Sequence, residues 1–272
     1  YNCLDNYVET LRAAILRPHP DYRNIPRGQA GDYQQLSDSL LQIENEFYSP
    51  IRPKRVTRPG ETPLTALHHR GIEYIEVRCI DVSPFSSVGI EASQMRFLDI
   101  FLLYCLLEES PPCDELEQAT QAANLEAGVN RGRLPGLLLQ TATGEQPMRS
   151  CAEALFANLQ QVAGLLDSAS RSSLYSASLK QQEAAIAEPE LTPSARVLRE
   201  MRDKELPFFR LAMAYSEHWA HYFRARTLNP EVQAAFEAET RRSIEAQREI
   251  ERADSIGFEQ YLDHYFAQYR AL

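Results

Sequence analysis

Two short segments, about thirty residues apart, concentrate acids and bases: LQIENEFYSPIRPKR from Leu41 to Arg55 and GIEYIEVRCID from Gly71 to Asp81. Read with the period of a strand, Tyr74, Glu76 and Arg78 fall on one face of the second segment. Ile75, Val77 and Cys79 fall on the other, giving one face for chemistry and one for core. By the same count Glu44, Glu46 and Tyr48 share a face of the first segment, which runs through Pro50 into the cationic cluster Arg52, Lys54 and Arg55. Carboxylates beside a cluster of fixed positive charge suit a metal-bound polyphosphate. An arginine adds a planar fork that grips carboxylate or phosphate with two parallel hydrogen bonds.

Plainer readings exist for each residue. Glu76 on a half-buried strand could be ion-paired to a neighbouring strand, Tyr48 packed on the sheet, and Glu44 and Glu46 structural. Arg52, Lys54 and Arg55 could be a solvated charge run. Pro50 and Pro53 favour a binding role, because they stiffen the segment and reduce the entropy lost when a ligand is gripped. His218 and His221 are three apart, without the offset of an H-E-x-x-H zinc motif or a third ligand, and His68 and His69 read as a helix end.

The elements that position these groups form a mixed first third and a helical remainder. Leu4, Tyr7, Val8, Leu11 and Ile15 mark one face of a helix ending before Pro18, and a polar, proline-rich stretch follows to about Ser37. The two strands come next, separated by Pro59-Gly60 and a short helix from Pro63 to Arg70. From Ala92 the period becomes helical: a buried helix to Glu109, a polar one from Asp114 to Ala127, then a weakly structured stretch in which residues 136–140 extend. Ser150 and Glu153 read as a capping box opening a helix with the stripe Leu155, Leu159, Val162 and Leu166. Further helices start near Pro193 and Pro207, the latter with a core stripe of Phe208, Leu211, Tyr215, Trp219 and Tyr222. Asn229-Pro230 caps a charge-rich helix to Ala253, and an aromatic helix runs from Phe258 to Tyr269. The pattern predicts an α+β fold without internal repeats.

At 272 residues and 44% hydrophobic content the chain can bury a core. Its formal charge of -10 argues against a general nucleic-acid partner, which demands a basic face. Five cysteines without C-x-x-C spacing fit neither a zinc site nor a secreted disulfide framework and predict reduced thiols in the cytoplasm. The longest apolar stretch, Phe97 to Leu107, is interrupted by Asp99 and is shorter than the ~20 residues of a membrane span.

The run from Glu44 to Arg58, with residues 71–78 and Pro84-Phe85-Ser86, resembles the proteobacterial glutamate-cysteine ligases. The similarity is strongest from Leu41 to Leu107 and continues more loosely beyond. The resemblance implies the glutamine-synthetase-like fold, a curved antiparallel sheet followed by a mainly helical region, divided here as residues 1–91 and 92–272. It implies ATP-dependent joining of the γ-carboxylate of L-glutamate to the amine of L-cysteine through a γ-glutamyl phosphate, the first step of glutathione synthesis. Mg²⁺, with Mn²⁺ as a substitute, accompanies ATP. In this sequence the resemblance makes Glu76 a metal ligand, with Glu44 and Glu46 as weaker candidates. Arg78 binds the glutamate γ-carboxylate and the transferred phosphoryl group, and Tyr48 lines the cysteine pocket. Arg52, Lys54 and Arg55, on a segment stiffened by Pro50 and Pro53, are expected to bind the polyphosphate. Family members are about twice this length, so the chain is expected to be a C-terminal half that needs an N-terminal half for activity. The alternatives are a noncatalytic or split subunit, or a related carboxylate-amine ligase with another acceptor.

Overall fold

The computed structural model describes residues 2–28 and 31–272. In chain order the elements are helix α1 (Leu4–Leu16), strand β1 (Ile51–Lys54), helix α2 (Pro63–Arg70), strand β2 (Tyr74–Val77) and helices α3 (Ala92–Leu107) and α4 (Glu115–Arg131). The hairpin β3 (Leu138–Thr141) and β4 (Gly144–Pro147) follows, and then helices α5 (Met148–Ser170), α6 (Leu174–Ala187), α7 (Pro193–Asp203), α8 (Phe208–Ala225), α9 (Pro230–Ala253) and α10 (Phe258–Ala271). The fold is α+β with a helical C-terminal region, as the pattern predicts. Among the described residues no helix is long and apolar enough to cross a membrane.

The chain forms two compact units, Tyr1–Ile80 with Leu228–Leu272, and Asp81–Thr227. The sequence places a single boundary after residue 91; here the chain leaves the first unit earlier and returns to it, because α10 packs on α1 and α2. That return is invisible to local pattern.

In the first unit, Tyr7, Val8, Leu11 and Ile15 of α1 form the expected apolar face and bury against Leu64 and Leu67 of α2 and Tyr269 of α10. Thr62 starts α2 by accepting from the Thr65 amide at 3.2 Å, with Pro63 in the first turn. Gly71 stops it at φ +72°, a conformation that costs a side chain strain. The chain then returns as β2, antiparallel to β1 in the register Arg52 opposite Glu76 and Lys54 opposite Tyr74.

Two expectations for the paired segments fail here. Glu44 to Glu46 is a 3-10 turn, so its side chains repeat every three residues and Glu44 and Glu46 do not share a face. Glu44 is 2% exposed while Glu46 lies in water. The face expected to be core is also open, with Ile75 at 43% exposure and Ile51, the β1 partner of Val77, at 44%. Arg52, Lys54 and Tyr74 of the charged face instead share a cavity with Tyr7 of α1 and Leu67 of α2.

In the second unit, α3, α5 and α6 pack around Ile100, Phe156, Leu159, Val162, Ala163 and Leu179. A fully buried leucine such as Leu159 contributes ~2 kcal/mol by burial. The helix α6 has no counterpart in the sequence reading. The expected capping box at Ser150 is also displaced: α5 already begins at Met148, and Glu153 bonds to Arg149 one turn earlier at 2.8 Å. Asp167 joins α5 to α6 by accepting from the amides of Tyr175 and Ser176, each at 2.9 Å.

Residues 138–141 do extend, and Asn124 of α4 covers the edge of β3, exchanging two hydrogen bonds with the Gln140 backbone at 2.7 and 2.9 Å. The helix expected to be buried, α3, buries Ile100 but leaves Leu106 and Leu107 exposed. The aromatic stripe of α8 likewise buries Leu211 while Phe208 and Tyr222 stay exposed. Trp219 has a local partner, donating to the Pro84 carbonyl at 2.8 Å, and Arg196 lies 3.6 Å over the Phe85 ring. Helical period fixes which residues share a face; what covers that face is decided elsewhere.

Candidate ligand site on the first unit

The antiparallel register of β1 and β2 brings Arg52 and Lys54 onto the same face as Glu76 and Tyr74. Glu76 stands opposite Arg52, with its Oε2 2.9 Å from Arg78 Nη2 and 3.7 Å from Lys54 Nζ. The Arg78 contact is close but poorly aligned, so Oε2 is buried without a well-formed hydrogen bond. Arg78, followed by Lys54 and Arg52, holds the Glu76 carboxyl below the usual carboxylate range despite its partial burial. Glu76 is therefore an anion shared between two cations. Arg78 also lies 5.8 Å from the centre of the exposed Tyr48 ring, so the structure brings Tyr48, Glu76 and Arg78 together.

Behind this strand pair is a cavity of about 280 Å³, lined by Glu44, Arg52, Lys54 and Arg55 with Tyr7, Leu67 and other groups. Arg52 is 5% exposed, and one guanidinium nitrogen, Nη2, donates to the Glu44 carbonyl at 3.3 Å. Its Nε is buried with no hydrogen-bond partner. A buried guanidinium group with an unused donor is costly unless a ligand meets it. Arg55 is drawn toward Glu73, 3.6 Å away, and Lys54 toward Glu76. The three cations named from the sequence thus all border one cavity.

The loop over this cavity is pinned from α2. Arg70 grips both oxygens of Glu61 at 2.6 and 2.7 Å and donates to the Val56 carbonyl at 3.0 Å. That fork, with the Arg58 amide, holds the Glu61 carboxyl down to about 2. Val56 and Thr57, which line the cavity, are held between these anchors.

Glu44 and Glu46 are deployed differently from Glu76. Glu46 accepts from the Gln42 amide at 2.7 Å. Glu44 accepts from the Tyr269 hydroxyl at 3.0 Å and from the Leu64 backbone. Burial raises the pKa of Glu44, and these donors with Arg52 and Lys54 only partly oppose the rise. Among the described residues no three His, Cys, Asp or Glu side chains converge as a metal cage. His221 Nδ1 is 2.8 Å from the Glu217 carbonyl and His218 packs edge-on against Trp219.

The sequence predicts the C-terminal helix but not its place beside the site. Tyr269 is fully buried beside Glu44, 225 residues away in the chain. Gln268 next to it accepts from the Thr62 amide at 2.9 Å and donates to the Gly60 carbonyl at 2.8 Å. The aromatic periodicity of this helix signals a packed face, but nothing local names the partner.

This geometry can be set beside known proteins. Residues 1–127 match the glutamate-cysteine ligase family. The glutamate-cysteine ligase of Saccharophagus degradans is 42% identical over 272 residues, covering 99% of this chain and 51% of that protein. The enzyme of Shewanella oneidensis is 45% identical, covering 98% and 51%. The chain is related to the glutamate-cysteine ligases. It spans about half the length of the curated relatives it matches. A crystal structure of the Francisella tularensis glutamate-cysteine ligase in complex with AMP superposes with a TM-score of 0.90 at 29% identity, covering all of this chain and 54% of that one. The structural similarity therefore extends beyond the residues matched by the family.

Proposed function

We propose that this chain contributes the phosphate and glutamate side of an ATP-dependent glutamate-cysteine ligase site. The observation that carries the reading is the shared face of β1 and β2, where Arg52 and Lys54 stand opposite the Glu76 strand and Arg78 continues it. The AMP bound in the Francisella tularensis relative supports a nucleotide as one ligand. In this reading Arg52, Lys54 and Arg55 hold the polyphosphate, Arg78 grips the γ-carboxylate of glutamate, and Tyr48 beside it borders the cysteine pocket.

The γ-carboxylate oxygen attacks the terminal phosphorus of ATP, the bond to ADP breaks, and an acyl phosphate forms. The cysteine amine then attacks the acyl carbon, loses a proton, and expels inorganic phosphate. Arg78 follows the carboxylate through the first step, since its fork fits both the carboxylate and the phosphoryl oxygens. No side-chain nucleophile is required, in keeping with a site made of arginines, lysine and carboxylate.

Glu76 suits Mg²⁺, or Mn²⁺ in its place, because its Oε2 is buried, ionised and without an aligned hydrogen bond. When bound, the metal neutralises charge on the polyphosphate, and such sites commonly take only one or two protein carboxylates. Glu44, whose carboxyl is engaged by Tyr269 and Leu64, suits that role less well. The remaining acids would come from the segment corresponding to the other half of the relatives, so residues 1–272 alone are expected not to turn over ATP with glutamate and cysteine. Five cysteines that fit no secreted disulfide framework accord with a cytoplasmic setting.

The test is steady-state kinetics of the chain joined to a segment that gives it its relatives' full length. Arg78→Lys keeps charge but loses the fork, and is expected to raise the glutamate KM and lower kcat about tenfold or more, with the cysteine KM changed less. Glu76→Gln is expected to raise the Mg²⁺ requirement while the thermal midpoint stays near wild type. A rise in the cysteine KM alone would move Arg78 to the acceptor side. Robust turnover by residues 1–272 would remove the need for a second segment.

A further inference from the structure

The last helix of the chain does not line the cavity, but it bonds to Glu44 in its wall and to Gly60 and Thr62 beside it. Tyr269 donates to Glu44 Oε1 at 3.0 Å, and the Glu44 carbonyl in turn accepts from Arg52 Nη2 at 3.3 Å. Leu64 ties the Glu44 carboxyl from the other side. One residue earlier, the Gln268 amide bridges Thr62 and Gly60 at the end of the loop that carries Val56 and Thr57 along the cavity. The helix is itself fixed, because Arg12 Nε donates to the Tyr269 carbonyl at 2.7 Å.

This arrangement does more than close a core. A tyrosine wholly buried against leucines would be satisfied by any acceptor, yet Tyr269 bonds the one acid whose own backbone holds the guanidinium bordering the cavity. Arg52 uses Nη2 for that anchor and leaves its buried Nε without a partner. An unused donor on a guanidinium held from behind is an anion receptor set in place before its ligand arrives, and such preorganisation strengthens binding by removing ordering cost.

We propose that α10 is a positioning element of this cavity, with Tyr269 acting through Glu44 to hold Arg52 for an anionic polyphosphate and Gln268 holding the loop opposite. The inference rests on the reading of the cavity as the polyphosphate site. Tyr269 and Gln268 touch no ligand in it; they act through Glu44 and residues 60–62.

The test is calorimetric titration of the chain with inorganic tripolyphosphate, as wild type, Tyr269→Phe, Arg52→Gln and the double variant, with melting temperatures measured alongside. Tyr269→Phe keeps the buried ring and removes the hydroxyl's bonds to Glu44 and Tyr265. It is expected to weaken tripolyphosphate binding about fivefold when Arg52 is present, and by less than about 1.5-fold in the Arg52→Gln background. A merely structural tyrosine would lower the melting temperature and leave the affinity of the folded protein unchanged in both backgrounds. Unchanged affinity in Tyr269→Phe, or equal weakening with and without Arg52, overturns the inference while leaving the cavity a polyphosphate site. Absence of tripolyphosphate binding by the wild-type chain overturns both. Should Tyr269→Phe fail to fold, Gln268→Ala decides: about threefold weaker binding in a folded protein supports the positioning role, and wild-type affinity overturns it.

Discussion

Each unit buries a carboxylate that accepts hydrogen bonds from backbone amides or a hydroxyl, and the two titrate in opposite directions. Asp167, in the helical unit, is pushed up by burial, but the donors around it, Ser176 and Tyr175 foremost with Ser172, outweigh that and leave its pKa below the ordinary value. Glu44, in the unit with the cavity, is pushed up by burial and its donors do not compensate. The helical unit uses its acid to cap α6, and the donors saturate it. The other unit keeps an under-compensated acid next to a guanidinium with an unused donor. Saturated burial marks architecture; unsaturated burial beside a cavity marks a place prepared for something else.

The surface charges repeat this contrast. Pairs on the helices, such as Arg149 with Glu153, are exposed and one turn apart, worth a few tenths of a kcal/mol each. The Lys54, Arg78 and Glu76 side chains are only 27%, 28% and 34% exposed, and the two cations share one acid.

If the helical unit is held by packing and saturated caps alone, its greatest vulnerability is a void in its core. Leu159→Ala is expected to destabilise by ~3 kcal/mol in denaturant unfolding, with tripolyphosphate affinity of the folded protein unchanged. A loss of affinity at this position would break the contrast at once.

The next effect in size falls on the cap. Asp167→Ala is expected to lower the melting temperature by ~4 °C at pH 7, because two amides of α6 lose their acceptor. Since the folded pKa of Asp167 is depressed below its unfolded value, its stabilisation is present at neutral pH and fades as pH falls through the folded value. The gap between wild type and variant should therefore close on acidification below about pH 4. A gap independent of pH would mean the charge contributes nothing.

Glu44 carries the opposite sign. Its folded pKa is raised, so its contribution is fully present below the unfolded value and declines as pH rises through the folded one. Glu44→Gln keeps an acceptor for Tyr269 and removes the ionisation. Its melting temperature relative to wild type is expected to rise by ~2 °C between pH 4 and pH 8. A relative fall over that range would make Glu44 a saturated structural acid like Asp167. The smallest expected change is Arg149→Ala, within ~0.5 kcal/mol of wild type and smaller still at 1 M salt.

The sequence by itself determined most of the helices and one face of the site. The α1 stripe, the Pro63 and Asn229-Pro230 starts and the Gly71 stop are written within a few residues, because capping and periodicity are local properties of the backbone. The period of two also sufficed for Tyr74, Glu76 and Arg78, since β2 is a strand and its pairing puts Arg52 opposite Glu76. It misled at Glu44 and Glu46, where three residues wind into a 3-10 turn and one acid turns inward while the other stays in water. The tertiary structure alone decided that Glu44 meets Tyr269, that Arg52 is buried with a donor unused, and that the stripes of α3 and α8 are only partly covered. The physical reason is that burial, and the pKa and hydrogen-bond demands it creates, depend on what packs against a residue from far along the chain, whereas spacing says only which way a side chain points.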